Sequence, residues 1–190
     1  MMAYELPTSL NIGGGNYAIR TDFRAILDIL ISQNDPELDA DSKFWAVVDI
    51  LFEDFDSIPP EHHEEAFKKA IEFIDCGQRD DGKHHPKLLD WEQDGPIIIP
   101  AVNKVAHMEV RAVPYMHWWT FFSYFMEIGE SLLGSVISYR SNRAKGKKRE
   151  KWEEEFYKEN KHLIDFERKN DRSEEEKNEL RELFGFKTAR

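Results

Sequence analysis

Paired histidines and a cluster of carboxylates are the residues in this chain that could hold a metal or move a proton. His62-His63 and His84-His85 are adjacent pairs, and neighbours on a helix point about 100° apart, whereas zinc-binding helices place ligands at i and i+4 or i+3. Each pair therefore offers at most one ligand to a face. His63-Glu64-Glu65-Ala66-Phe67 begins like a zinc-protease helix and ends in Phe where a second His belongs. The pairs read as surface histidines at a helix start and in a polar loop. Asp90-Trp91-Glu92-Gln93-Asp94-Gly95 imitates the front of a calcium loop, but Pro96 stands at position 7 and Ala101 at position 12, where a bidentate carboxylate is required. These carboxylates are expected to form turns and to cap the next helix.

Other chemistries fare no better. Gly13-Gly14-Gly15 lacks the spaced glycines of a dinucleotide site, and Gly146-Lys147 is followed by Lys148 where a phosphate-binding loop needs Ser or Thr. Cys76 closes a helix beside Gly77, where the helix dipole is negative and opposes a thiolate. There is no serine nucleophile elbow, and no carboxylate pair is singled out by its spacing. The sequence predicts a protein without enzymatic activity, cofactor or metal.

The elements that would carry these residues are mostly helices. Leu10-Asn11-Ile12 and Tyr17-Ala18-Ile19 alternate around a glycine-rich turn, a hairpin whose apolar side must lie on the helical core behind it. Phe23, Ile26, Leu27, Leu30 and Ile31 form one helical stripe behind Thr21-Asp22, and Phe44, Val47, Val48, Leu51, Phe52 and Phe55 a second. Pro59-Pro60 starts a third helix with Ala66, Phe67, Ala70, Ile71 and Ile74 inward. Residues 77–95 read as a long loop and 96–107 as a helix despite Pro100. Tyr115 to Met126 is apolar on nearly every side and is expected at the centre, followed by a helix with Leu132, Leu133, Val136 and Ile137 inward. Trp152, Phe156 and Leu163 mark a sparse stripe, and Ser173-Glu174-Glu175-Glu176 opens a last short helix with Leu180, Leu183 and Phe184. The expected fold is mostly α: a compact helical domain of about six to eight helices with a small N-terminal β-hairpin, residues 1–139, and a basic connector with a charged amphipathic helical arm, residues 140–190.

Charge separates these parts. The 190 residues carry a net −11, yet residues 1–100 hold 8 basic and 21 acidic side chains and residues 101–190 hold 18 and 16. Seven cations fall within residues 140–151. Acid excess argues against bulk nucleic-acid binding, which needs clustered Lys and Arg. The first residues show no basic leader before an apolar run, and no window nears the ~20 apolar residues of a spanning helix, so neither secretion nor a membrane partner is expected. One cysteine fits a reducing compartment. The candidate partner-binding residues are Arg143, Lys145, Lys147 and Lys148 with the aromatic and apolar anchors Trp152, Phe156 and Leu163.

His117-Trp118-Trp119-Thr120-Phe121, Ser135-Val136-Ile137, Arg143-Ala144-Lys145-Gly146-Lys147-Lys148 and Trp152-Glu153-Glu154-Glu155-Phe156-Tyr157 together resemble a phage and prophage family, the gene-product-fifteen family. Leu6-Pro7-Thr8, Ile12-Gly13-Gly14, Tyr17, Thr21-Asp22-Phe23-Arg24 and Asp90 to Pro96 extend the resemblance over nearly the whole chain. It implies a tail assembly chaperone acting in the host cytoplasm, which binds the tape-measure protein, aids assembly of the tail-tube protein and is absent from the virion. It carries no catalytic residues. The alternatives are a tail or head-tail component retained in the virion, and a nucleic-acid or host-regulatory protein using the basic run; self-association is left open.

Overall fold

A computed structural model describes residues 5–78, 82, 85–148 and 150–167 of the chain. The expected helix after Ser173 lies outside them. Strands β1 (Ser9–Ile12) and β2 (Gly15–Ala18) pair antiparallel, Leu10 opposite Tyr17 and Ile12 opposite Gly15. Gly13 and Gly14 turn the chain with φ of 56° and 85°, positive at both central positions as a tight type I′ hairpin requires. A Cβ on Gly13 would lie 2.4 Å from the His62 ring, so that close approach needs glycine as much as the backbone does. Glu65 accepts the Gly13 N–H at 3.1 Å and ties the turn to the third helix.

Seven α-helices follow among the described residues: α1 (Phe23–Asn34), α2 (Ala40–Leu51), α3 (His63–Ile74), α4 (Gly95–Ala106), α5 (Trp118–Met126), α6 (Leu132–Ala144) and α7 (Lys151–Ile164). The mostly helical class and the hairpin agree with the sequence pattern, and residues 95–106 form a helix with Pro100 inside it, its ring on the exposed side. In α1 the fully buried face is Phe23 and Ile26 of the expected stripe together with Ile29 and Ser32, because α1 is covered by both α2 and α5. Leu27, Leu30 and Ile31 remain half-buried at its edge.

One apolar core joins the hairpin to α1–α5, with Ile12, Ile26, Val48, Leu51, Trp118 and Phe121 buried within it. The His-Trp-Trp sequence is its keystone. His117 caps α5: Nδ1 accepts the Trp119 N–H at 3.0 Å, which leaves Nε2 to donate to the Pro7 carbonyl at 3.0 Å. The indole N–H of Trp118 donates to Ile74 O at 2.8 Å and that of Trp119 to Phe73 O at 2.9 Å, so both are held by carbonyls in the last turn of α3. The aromatic stretch is thus central, as its composition implies, although Tyr115 and Met126 at its ends are more than half exposed.

Candidate docking surface

The basic run occupies the turn between α6 and α7, and the positions of its neighbours decide what it can present. Leu133, Val136 and Arg140 recur at i, i+3 and i+7, one face of α6, and all three are buried. Arg140 is only 5% exposed and Asp94 1%. Its Nη1 and Nη2 donate to the two oxygens of Asp94 at 2.6 and 2.9 Å, Nε donates to Ile164 O, Nη2 also to Leu163 O, and Nη1 also to Leu88 O. The Phe166 ring lies 4.0 Å from the guanidinium carbon. A fork of five N–H donors is matched by five acceptors, the arrangement in which a buried arginine is tolerated. Two of those acceptors are carbonyls at the end of α7, so Arg140 serves as that helix's C-terminal cap.

Asp90 and Asp94 do fold the calcium-like segment, in different ways. Asp90 Oδ1 accepts the N–H groups of Glu92 and Gln93 at 3.0 Å, closing the turn as expected. Asp94 precedes α4 but makes no side-chain cap; its carboxylate faces Arg140 and accepts the Asp90 N–H. Charge density sets Arg140 among the solvated cations, whereas the fold buries it, and the expected division at 139/140 falls inside α6. The signal for its burial is the i, i+3, i+7 spacing from Leu133, outweighed in the sequence by the charge of the residues after it.

Further contacts fasten α7 along its length. Tyr139 and Tyr157 stack at 5.4 Å, and Val136, Tyr139 and Ile164 form a second apolar cluster. Glu153 is buried: it closes a capping box with Glu150 and accepts from Asn142 at 3.0 Å. Arg143 pairs with Asp165 at 2.6 Å, and Tyr157 O–H donates to the same carboxylate at 2.8 Å.

The seven candidate residues therefore divide. Lys145, Lys147 and Lys148 are exposed on the turn, and Arg143 is exposed while engaged with Asp165. Trp152 is 58% exposed, its indole N–H held by Glu150 at 2.7 Å. Phe156 and Leu163 are half-buried against the second cluster, holding α7 on α6. Beneath the turn a cleft of about 460 Å³ is bounded by Lys87, Arg143, Ala144 and Phe166. Surface lysines and an open tryptophan can grip an anionic or helical polypeptide, whereas Arg140 and Asp94 are already engaged with each other.

The remaining chemistry-bearing residues are engaged in structure. His63 Nε2 lies 3.0 Å from Ile58 O with its ring on Phe55, and His62 faces Glu65 at 3.6 Å. His84 lies outside the described residues, and His85 is exposed. Among the described residues no three His, Cys, Asp or Glu side chains gather to hold a metal ion. Cys76 is half-buried with φ of 53°, and burial, then the neighbouring Asp75, pushes its thiol up to about 12. No helix among the described residues is long and apolar enough to cross a membrane.

These features define a mostly helical protein with a small N-terminal β-hairpin. The chain belongs to the family described as bacteriophage Gp15 protein, whose family model matches residues 2–166. That span ends at Phe166, the residue stacked on Arg140. No curated protein and no solved structure matches the chain.

Proposed function

We propose that this phage protein is a non-enzymatic tail assembly chaperone that binds the tape-measure protein in the host cytoplasm, aids assembly of the tail tube and leaves before the virion is complete. The observation that carries this reading is the turn between α6 and α7, where Lys145, Lys147 and Lys148 stand in solvent next to an open Trp152. An extended helical client offers apolar anchors and carboxylates in series, and an exposed aromatic side chain that follows a run of lysines in the chain suits that chemistry. The absence of catalytic work is supported by how the ionisable groups are spent: Asp90 and Asp94 on turn and arginine, His63 and His117 on backbone carbonyls.

Docking here needs the surface residues and not the apolar face of α7, since Phe156 and Leu163 are turned inward. The test is co-expression with the tape-measure protein. Lys145→Glu/Lys147→Glu/Lys148→Glu/Trp152→Ala should leave the chaperone folded by circular dichroism while the tape-measure protein moves to the pellet. A variant that keeps its client soluble as well as the parent does would refute the reading, and so would a stoichiometric presence of this protein in purified virions by mass spectrometry.

A further inference from the structure

The opposite charge pole of the molecule is as exposed as the basic turn. Trp45 is 45% exposed on α2, in edge contact with Phe44 and with Phe55 of the short 3-10 turn that follows. Asp41 and Asp49 flank it at i−4 and i+4, hence on its own face. Asp54 and Asp56 bracket Phe55 and are also exposed. Among the described residues no lysine or arginine forms an ion pair with these four carboxylates.

Two features make this negative charge costly for the isolated chain. Asp49 lies in the last turn of α2, at the negative end of the helix dipole. Burial and then the nearby Asp56 push its carboxyl above the ordinary range, with Arg20 opposing only in part because that guanidinium is occupied by the carbonyls of Asp49, Ile50 and Phe52. On the basic turn, Lys145, Lys147 and Lys148 are exposed, and among the described residues no carboxylate forms an ion pair with them. Each surface would be relieved by the other. They cannot meet within one chain, because α2 packs on α1 and α3 whereas α6 packs on α4 and α7, with α5 and α4 lying between.

We propose that a second copy of this chain docks its basic turn, Lys145, Lys147 and Lys148 with Trp152, on the acidic face of α2 around Trp45, so that the protein self-associates head to tail. A pairing of like surfaces would set aspartate on aspartate or lysine on lysine, which costs free energy; the contact that matches charge seats the basic turn of one copy on the acidic face of the next, and such contacts build rings, of which a reciprocal dimer is the smallest, or open chains. This inference gives the basic turn a second occupant, one that would compete with the client for the same residues, and it is tested without any client.

Sedimentation velocity of the full chain as a function of concentration reads the result. At ~0.02 M salt the mass should rise with concentration above that of the monomer, and at ~0.5 M salt, where screening shortens to a few ångströms, it should fall back to the monomer. Asp49→Lys/Asp54→Lys/Asp56→Lys and, separately, Lys145→Glu/Lys147→Glu/Lys148→Glu should each weaken self-association on the order of 100-fold, since like charges then face each other. Mixed in equal amounts, the two variants should assemble with each other as the parent does, because the native turn of one meets the native face of the other and the two reversed surfaces match in turn. A chain carrying both sets of reversals should assemble again, which excludes misfolding as the cause of the losses. A parent protein that stays monomeric at low salt overturns the proposal and leaves the acidic face to a basic partner of another kind. Continued assembly of either single-surface variant, a silent mixture, or a doubly reversed chain that stays monomeric overturns it equally.

Discussion

Arg140→Met asks how firmly α7 is held, because the substitution keeps a long apolar stem and removes the charge alone. Asp94, 1% exposed, would then keep a negative charge with no cation beside it, and the carbonyls of Leu88, Leu163 and Ile164 would lose their donors. Removing one partner of a buried ion pair costs about 3–5 kcal/mol. At about 2–4 °C per kcal/mol for a chain of this size, the melting temperature should fall by roughly 6–20 °C. Loss should begin at α7, so native-state hydrogen exchange should show the amides of residues 155–164 opening far below the free energy of α1 or α5. Adding Asp94→Leu removes the stranded charge, and the double variant should recover at least ~2 kcal/mol relative to the sum of the single changes. Urea melts of the four proteins close the cycle. A loss below ~1 kcal/mol with α7 protection unchanged, or strictly additive effects, would refute the assignment of Arg140 as the fastening between α4, α6 and α7.

Two further outcomes test parts of the fold away from α7. Gly13→Ala should destabilise by about 2 kcal/mol or more, combining left-handed strain of roughly 1–2 kcal/mol with displacement of the His62 ring, whereas Gly14→Ala, with open space around its Cβ, should cost the strain alone; equal thermal shifts would contradict the packing account. Cys76, with its thiol near 12, should react with a disulfide reagent at pH 8 on the order of 1,000-fold more slowly than in the urea-unfolded chain, the rate rising with pH through the alkaline range; a rate within tenfold of the unfolded one would show the thiol to be neither buried nor raised.

The helices were legible because their apolar residues recur with the period of a helix, and the hairpin because Gly13-Gly14 sits between alternating pairs. Asp22 was readable as a cap and does accept the Arg24 N–H, yet nothing local announced that its other oxygen would take the Met116 N–H and lock α1 to α5. Such contacts join residues 94 positions apart and are written in no short window. Arg140 failed for a different reason: in a run of seven cations, charge density spoke louder than the helical phase of a single member. The inward turn of Phe156 and Leu163 has the same origin, since a stripe at helical spacing states that a face is apolar without saying whether a partner or the chain itself will cover it. Trp152 and the three lysines of the same set are exposed instead.

The turn between α6 and α7 is a rope made fast at both ends. Stacked tyrosines, the Asn142 to Glu153 bond and the Arg143 to Asp165 pair hold the helices on either side, so the entropy of closing that loop is spent when the chain folds. A free basic tail of the same composition would have to surrender that freedom each time it met a partner. Here the lysines arrive already gathered within a few residues' reach of Trp152, and a partner that orders them further loses little. Weak individual contacts can then add to useful affinity while dissociation stays fast.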